Sequence, residues 1–490
     1  STAALTVNGI SAGALTGTAG DIVLRSLASA ITLAADVRAL GGSGRLVLDA
    51  AGTGGNLTVA DAVIVQAAQL SVDATLTLTT VGTGKIQADT LLLNTWLGVG
   101  VGTSSAPLRL DLQGSLTLLS GRVSGSLNLS ELAGDLGLSR LQVGADSADA
   151  TTRLQTLSGG IYGSSARTNT GYADLVASDV QLTATGNAYS AGIGGNRQAL
   201  RLSSTTGTVT LGASATGAVI GDVVISSAST LRIRSTGVSG QADIFLASDR
   251  DLITERDGAT VSTVTANQEA VSLLSWQRAE KLSEAAGGLS TGRVTLDAPV
   301  VTAQAGTSIE LVAGAGSINM GGDTRISIGG SGSGSVRLSA GESITLSAVN
   351  APGALVALVA RGGSIVDGDT VESATPDIQA WRVLLDAAED IGANRASGGA
   401  LVGVANALEL AAGSLAARSG FDLRLNETDT ATIDSGLSVS VSRAGWMPTS
   451  SLTTALDGLR STWGGDIVVT AGSATQVGRL TLAADTTIQT

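Results

Sequence analysis

The amino-acid sequence predicts an all-β fold, a parallel β-helix of the solenoid class, with two short helical excursions. Three observations support this prediction. Short segments with apolar residues at alternate positions begin about every ten residues. Glycine is abundant, at 66 of 490 residues, while aromatic residues make up only 2% of the chain and charged residues 14%. One ordered pattern of short motifs also occurs three times, which is typical of repeat proteins.

The alternating segments are the predicted strands. Early examples are 21–25, 30–34 and 45–49, each with apolar residues at every second position. Alternation turns one row of side chains toward a core and leaves a row of Ser, Thr and Asp outside. Two or three such strands complete a turn of about 20 to 30 residues, the period of a parallel β-helix. Because no linker divides the chain, residues 1–490 are predicted to form a single continuous β-helix.

Gly-Asp pairs precede several predicted strands and indicate the corners between them. Glycine adopts the positive φ that a corner needs, and a short carboxylate can accept N–H bonds from the turned backbone. A structural role is therefore expected for these aspartates. The pairs are Gly20-Asp21, Gly134-Asp135, Gly221-Asp222 and Gly465-Asp466.

Two segments lose the alternation and are predicted as helical excursions from the solenoid. In residues 267–286 glycine is absent and apolar residues recur at spacings of three and four, which predicts an amphipathic helix. In residues 446–463, Ser450 or Ser451 can cap a short helix. The longer excursion is expected to leave one corner of the solenoid and lie against its side.

The excursions contain the candidate interface residues. Trp276 and Leu274 belong to the longer segment, and Trp446, Trp463 and Leu456 to the shorter one. An exposed Trp can stack on a sugar or anchor a partner subunit. Packing of these side chains against the solenoid is the alternative.

Catalysis is restricted by what the chain lacks. Histidine and cysteine are absent, which excludes a Ser-His-Asp triad, a Cys-His nucleophile and a His- or Cys-ligated zinc site. Paired carboxylates could still serve a polysaccharide-active enzyme, and the candidate pairs are Asp249 with Asp251 and Asp367 with Asp369. Most acidic residues instead stand singly at turns, so the chain is predicted not to be an enzyme and to have no catalytic residues.

Composition and motif spacing indicate which metals, nucleic acids or membranes the chain could bind. The stretches 321–323 and 362–369 partly match the nonapeptide calcium pattern without repeating it in tandem, so no cofactor is expected and calcium is the metal to consider. A formal net charge of −13 argues against nucleic acid as a partner. No stretch reaches the roughly 18 uninterrupted apolar residues of a membrane helix. The last residues end in mid-pattern, which indicates a segment of something longer.

The repeated pattern also carries a family resemblance. Its order is Gly-x-Ile, Val/Leu-x-Leu-x-Ala, Ile-Gly or Gly-x-Gly, and Leu-x-Leu, found in 363–410, 160–202 and 84–110. This order resembles the central repeats of large bacterial exoproteins of the filamentous haemagglutinin type. The resemblance implies a right-handed parallel β-helix, export across an outer membrane, and a shaft or adhesin role. The asparagine-rich signature of the amino-terminal secretion domain of such exoproteins is not found.

The sequence thus predicts a non-enzymatic structural or adhesive protein outside the cell or on the bacterial surface, a rigid shaft segment of a large exoprotein. At about 4.8 Å per rung and ~20 rungs, the shaft would be on the order of 100 Å long. The alternatives are a self-assembling subunit of a filament, sheath or surface layer, and a polysaccharide-active enzyme. Expected partners are other copies of the chain or neighbouring segments of a larger chain, with host or cell-surface glycans or proteins as ligands.

Overall fold

The computed structural model describes two compact units, Ser1–Ser229 (unit 1) and Thr230–Thr490 (unit 2). Both are built from β-strands, and none of the described residues lies in a helix. No helix that could cross a lipid bilayer therefore occurs in the described part of the chain. The described residues are all except 1–3, 13–19, 28, 42, 98–99, 114–117, 148, 165–171, 187–191, 195–198, 218–221, 239–241, 255, 258–259, 262–263, 267–270, 276–291, 298–299, 303–305, 323, 330–332, 369–374, 394–406, 443–449, 453–454 and 474–475.

The strands are short and are numbered in chain order. Unit 1 contains β1 Leu5–Ala12, β2 Ile22–Ser26, β3 Ile31–Ala39, β4 Arg45–Ala50, β5 Leu57–Val59, β6 Ile64–Ala74, β7 Thr77–Thr80, β8 Lys85–Thr95, β9 Gly100–Val101, β10 Leu108–Leu112, β11 Leu118–Val123, β12 Ser126–Glu131, β13 Leu136–Val143, β14 Thr151–Thr156, β15 Ile161–Gly163, β16 Leu175–Val176, β17 Asp179–Gly186, β18 Leu200–Ser203, β19 Thr208–Gly217 and β20 Val223–Ser227. Unit 2 contains β21 Thr230–Val238, β22 Ile244–Ser248, β23 Leu252–Thr254, β24 Arg256–Asp257, β25 Thr260–Val261, β26 Val264–Ala266, β27 Val271–Ser275, β28 Val294–Leu296, β29 Val300–Thr302, β30 Ser308–Ala313, β31 Ile318–Met320, β32 Arg325–Ile328, β33 Ser335–Ala340, β34 Ile344–Leu346, β35 Ala348–Ala360, β36 Ile365–Asp367, β37 Ile378–Ala387, β38 Leu408–Ser419, β39 Leu423–Glu427, β40 Thr430–Ile433, β41 Ser440–Ser442, β42 Ser450–Leu452, β43 Leu459–Ser461, β44 Ile467–Ser473, β45 Gln476–Val477, β46 Arg479–Leu482 and β47 Ile488–Gln489.

Within each unit the strands pair in parallel with strands of the neighbouring turn. In unit 1, β6 lies between β4 and β8, and in unit 2, β33 lies between β30 and β35. The antiparallel strand pairs in the described part, β24–β25, β41–β42 and β44–β45, are local hairpins. The predicted all-β class and parallel β-helix are confirmed. The right-handed sense and the single continuous solenoid remain predictions.

Inward side chains stack in columns through each unit. A column of unit 1 contains Ile22, Leu46, Leu70, Leu91, Leu119 and Leu138, which are 19 to 28 residues apart and at most 6% exposed. A column of unit 2 contains Leu246, Leu273, Leu311, Leu338, Leu358, Leu385, Ala417 and Leu459. Each side chain contacts the rungs on both sides, so small aliphatic residues fill the interior without large rings.

Corners are held by carboxylates that accept backbone N–H groups from the next rung. Asp21 Oδ1 accepts the N–H of Arg45 at 3.2 Å, and Asp135 Oδ1 accepts the N–H of Gly160 at 2.8 Å. The expected role of these two Gly-Asp aspartates as backbone acceptors is confirmed. Such bonds matter because a backbone N–H that leaves a strand ladder still needs an acceptor.

Two buried glutamates make the same kind of bond after a Leu-x-Leu motif. Glu131 Oε1 accepts the N–H of Leu112 at 3.0 Å, and Glu427 Oε1 accepts the N–H of Ala412 at 3.1 Å. Both glutamates are fully buried. In register, Glu131 lies beside Leu110 and Glu427 beside Leu410, so the two corners are equivalent positions in two copies of the sequence pattern.

The third copy of the pattern meets the same need with a hydroxyl. After its Leu-x-Leu motif, the N–H of Ser204 donates to Ser229 Oγ at 3.0 Å. The acceptor can therefore be a carboxyl or a hydroxyl, provided that it reaches the corner. What the position requires is an oxygen, not a charge.

Burial shifts the titration of both corner glutamates. Loss of hydration raises the pKa of Glu131 to about 8, against the lowering effect of the Leu112 N–H bond. Burial likewise raises the pKa of Glu427 to about 8, and the neighbouring Asp429 side chain raises it further. Desolvation disfavours the charged form of a carboxyl, which explains the direction. Both carboxyls are thus largely neutral at pH 7.

In the insertion formed by residues 435–457, the described residues Leu437, Val439 and Leu456 cover part of the outer face of unit 2. At its base the N–H of Gly458 donates to the carbonyl oxygen of Asp434 at 2.8 Å. Its apolar side chains pack on outward residues of three rungs, and the cluster consists of Leu437, Val439 and Leu456 over Ala357, Leu384 and Ala416. The three consecutive apolar residues Val383–Leu385 therefore belong to a strand that is buried on both faces.

The predicted helix over 267–286 is wrong where the structure describes this segment. Residues Val271–Ser275 form β27, which pairs in parallel with β22 and β30. A strand between two strands has partners for its backbone on both sides, and this outweighs the helical spacing of the apolar residues. Residues 267–270 and 276–286 lie outside the described part of the chain.

The short helix predicted within 446–463 is also wrong. Residues Ser450–Leu452 form β42, which pairs antiparallel with β41, and Leu459–Ser461 form β43, which lies next to β38. Of the apolar residues of this segment, Leu456 packs on the outer wall of the solenoid and Leu459 points into its core. Residues 446–449 and 453–454 lie outside the described residues.

We predict that the two buried carboxyls make the folded state less stable at alkaline pH. Their folded-state pKa of about 8 lies above the ordinary value of 4.5. The folded state therefore binds more protons, and the stabilisation is complete below about pH 4.5 and is lost as the pH rises through 8. Urea unfolding at pH 5, 7 and 9 should show a falling free energy of unfolding, at about 1.4 kcal/mol for each unit of pKa difference.

The matched variant is Glu131→Gln with Glu427→Gln, in which an amide oxygen can still accept the corner N–H but no charge forms. We expect a weaker fall in stability from pH 5 to pH 9. Glu342→Gln removes an exposed carboxylate and is the control. An unchanged pH dependence in the double variant would contradict the assignment.

Candidate functional site

A surface pocket in unit 2 combines an exposed indole with charged and hydroxyl groups. Its cavity volume is about 380 Å³, within the range of roughly 300 to 1,000 Å³ typical of small-molecule sites. The lining residues that bear on its chemistry are Arg361, Asp386, Arg418, Gly420, Thr462 and Trp463. They come from the ends of β35, β37, β38 and β43 or the turns that follow these strands.

Trp463 is positioned by the corner that follows β43. Its backbone N–H donates to the carbonyl oxygen of Gly420 at 2.8 Å, which ties this corner to the preceding rung. Phe421 packs against the indole with ring centroids 5.0 Å apart and an interplanar angle of 58°. The Trp463 side chain is nevertheless 62% exposed. The ring is therefore held on one side and open on the other.

Two glycines make this arrangement possible. Gly464 has a φ of +84°, a conformation that side chains with a Cβ rarely adopt. A Cβ on Gly420 would lie 1.9 Å from the Ala388 carbonyl oxygen and 2.7 Å from Cζ3 of Trp463. Gly420 thus allows the indole to lie directly against the backbone of the neighbouring rung.

Asp386 and Arg418 form a bidentate ion pair beside the indole. They are in register on β37 and β38, and Arg418 donates from Nε to Oδ1 at 2.9 Å and from Nη2 to Oδ2 at 2.7 Å. The bonds to Asp386 raise the pKa of Arg418 above its ordinary value. A guanidinium has five N–H donors, and these two bonds use two of them. The Arg418 side chain is 43% exposed, so Asp386 orients it without burying it.

The pocket carries more positive than negative charge. Arg361 is exposed, and its Nη2 donates to Ser339 Oγ at 2.8 Å. Arg460 lies in register with Arg418 on the next rung, also on the outer face and exposed. Among the lining residues, Asp386 is the one acid. This local excess of cations contrasts with the formal net charge of −13 of the chain.

A separate group of three acids lies in unit 2. Carboxylate oxygens of Asp367, Asp377 and Glu409 lie within 4.8 Å of one another, and Asp377 and Glu409 are buried. Asp377 Oδ2 accepts the N–H of Glu409 at 3.0 Å, the corner bond seen elsewhere. Each of the three also makes a further polar or electrostatic interaction within the chain. Oxygen ligands suit calcium. Because these acids already interact with other groups of the β-helix, no metal is assigned to them.

The structure separates the predicted interface residues. Trp463 lines the pocket, whereas Leu456 is 6% exposed and packs within the insertion's apolar cluster. Leu274 lies on β27, and its side chain is outside the described part of the structure. Trp276 and Trp446 also lie outside the described residues. Of the five, Trp463 is therefore the one that the structure places in a candidate binding site.

The acid pairs considered from the sequence do not converge on this pocket. Asp251 Oδ1 accepts the N–H of Arg293 at 2.9 Å, another corner bond. Asp249 also interacts within the chain. Asp369 lies outside the described residues, and Asp367 belongs to the group of three acids.

Sequence reasoning missed Arg361, Asp386, Arg418 and Gly420. Asp386 and Arg418 are 32 residues apart, and a parallel rung has no fixed length, so their pairing could not be read from spacing. A usable signal was that each is the penultimate residue of its strand, preceded by apolar residues that pair in register. Aligning strands by their inward leucines would have placed the two side by side.

Comparison with known proteins gives no family for this chain. Searches against protein-family models, curated proteins and solved structures found no match.

We predict that Gly420→Ala disturbs the pocket and the rung beneath it. Its methyl group would overlap the Ala388 carbonyl oxygen, so the backbone and the indole must move. Overpacking of this kind costs about 1 to 3 kcal/mol, measurable as a lower midpoint of thermal unfolding together with an altered near-UV circular dichroism spectrum. The control is Gly237→Ala, where a Cβ meets nothing within 4 Å. Equal midpoints for the two variants would show that the predicted overlap is absent.

Proposed function

We propose that the chain is part of a non-enzymatic extracellular protein with a structural or adhesive role, of the kind that large bacterial exoproteins of the filamentous haemagglutinin type fulfil. The observation that carries this proposal is the stacking of inward columns through each unit, with corner groups bonded to the next rung. A wall of this kind is stiff because every rung is tied to its neighbours by a ladder and a packed core. The proposed location at the bacterial surface rests on the resemblance of the repeated sequence pattern to the repeats of these exoproteins.

The outer wall supports a binding role more than a catalytic one. Glycosidases of the usual type need two carboxyl groups about 5 to 9.5 Å apart across the scissile bond. The pocket has one acid among its lining residues, and both oxygens of that acid accept bonds from Arg418. Elsewhere, outer-wall acids also pair with bases, as Asp49 does with Arg25 and Asp111 with Lys85. A surface that pairs its charges and exposes an indole suits adhesion.

The test is an adhesion assay combined with an assay for cleavage. Beads coated with the full chain are expected to adhere to polysaccharide-coated surfaces more than beads coated with albumin. The soluble chain is expected to release neither reducing ends nor unsaturated products from the same polysaccharides. Release of products would overturn the non-enzymatic assignment. Adhesion no greater than that of albumin would overturn the adhesive role.

Self-assembly is the second candidate, and one feature of unit 2 favours it. Strands β46 and β47 continue two inward columns, yet Leu480, Leu482 and Ile488 are exposed there. The equivalent side chains one rung earlier, among them Ile433 and Leu459, are buried. A further parallel rung would cover this edge, whichever chain supplied it.

A double substitution tests this candidate. If copies stack through this edge, negative-stain electron microscopy should show fibres that lengthen with protein concentration. Leu482→Glu with Ile488→Glu should then abolish the fibres, because two charges would be buried at each junction. The control is Leu92→Glu, at an outward position that is 42% exposed and lies between two paired strands, and it should leave the fibres intact. Single particles at every concentration would rule out stacking through this edge.

A further inference from the structure

We infer that the Trp463 pocket binds a pyranose ring that carries a carboxylate, as found in the uronic acids of acidic polysaccharides. This inference rests on the proposed adhesive function and names the ligand class for it. Three features carry the inference: a held but open indole, a cationic lining, and hydrogen-bonding groups beside the ring. All three lie within unit 2.

The indole supplies the surface on which a sugar ring stacks. One face of a pyranose presents C–H groups, which pack well on an aromatic ring and leave the hydroxyls pointing sideways. Trp463 is 62% exposed, its indole packs against Phe421, and its backbone N–H is bonded to the carbonyl oxygen of Gly420. Little side-chain freedom is then lost on binding, which favours affinity.

The charges select an acidic ring over a neutral one. Arg361 and Arg418 line the pocket against the one acid Asp386, and Arg460 is in register with Arg418 on the next rung. Asp386 neutralises part of the Arg418 charge and orients its remaining donors. A guanidinium forms short charge-assisted bonds to carboxylates and often binds them in bidentate fashion.

Ring hydroxyls also have partners in the pocket. Thr462 is exposed next to Trp463, and its hydroxyl can both donate and accept. The remaining Arg418 donors can bind a hydroxyl as well as a carboxylate. The pocket thus offers an apolar surface to the C–H face of a sugar ring and hydrogen-bonding groups to its hydroxyls.

An acidic peptide is the competing ligand class, and the structure favours it less. Extended peptides commonly add a strand to a sheet edge. The strands that border this pocket, β37, β38 and β43, pair with one another in parallel and offer no such edge between them. A peptide carboxylate could meet the arginines but would leave the indole without a ring to stack on.

The experiment uses the full chain and isothermal titration with oligogalacturonate, a linear uronic acid oligomer. The wild-type chain should bind it, and binding should weaken as salt is raised, because Arg361 and Arg418 contribute charge. Trp463→Ala should weaken binding about 5- to 10-fold, and Trp463→Phe should restore most of the loss. Arg361→Gln should weaken binding of the uronate while changing that of a neutral galactose oligomer little.

The matched control is Trp381→Ala. Trp381 is another half-exposed indole of unit 2, outside the pocket, with the Arg382 guanidinium 4.4 Å from its ring centre. Its loss should leave uronate binding unchanged. Far-UV circular dichroism checks that each variant is folded.

Each result has a defined meaning. Absence of wild-type binding up to about 1 mM ligand, or equal affinity of the wild type and Trp463→Ala, would overturn the assignment. Poly-L-glutamate that binds as tightly as the uronate would show that charge alone is recognised and would overturn it too. Cleavage of the oligomer by the chain would refute the proposed non-enzymatic function while leaving the binding site in place.

Discussion

The structure depends on one constraint, that every backbone N–H and C=O in a stack of parallel rungs must find a partner. Along strands the neighbouring rung supplies it. At corners the ladder is interrupted, and a side-chain oxygen takes over, from Asp135 and Asp422 to the buried Glu131. These corner oxygens explain why a chain with few charged residues still buries carboxyls. Each one ties its own rung to the next.

The same constraint gives the inner and outer faces of the wall different kinds of residue. Inward positions must match the rung above and below, so they are filled by Leu, Ile, Val and Ala in columns. Outward side chains do not have to match the core of the neighbouring rungs, so they can differ from one rung to the next. In unit 2 one outward stretch is covered by the insertion 435–457, and another holds the Asp386–Arg418 pair and the Trp463 pocket. The pocket that we propose as a binding site therefore lies on the outer face.

Predictions from the sequence succeeded where local pattern and packing agree. Alternation around Leu46 and Leu48 places both in the core, and the Gly-Asp pair at Asp21 is a corner. The predictions failed where apolar residues at helical spacing form a strand, as in Val271–Ser275. Pairing with the neighbouring rungs decides the backbone conformation there. Trp463 was recognised as a candidate from its residue type, but its partners Asp386 and Arg418 were not.

By itself the sequence determined the all-β class, the stacking period and many of the inward positions, since these follow from residues close together in the chain. Tertiary structure alone decided which outward residues meet. Rungs differ in length, so Asp386 and Arg418 become neighbours only once their strands are in register. It also decided that Leu456 joins Leu384 in one apolar cluster on the outer face. Contacts between rungs depend on register, and register is set by the packing of the whole core rather than by any one segment.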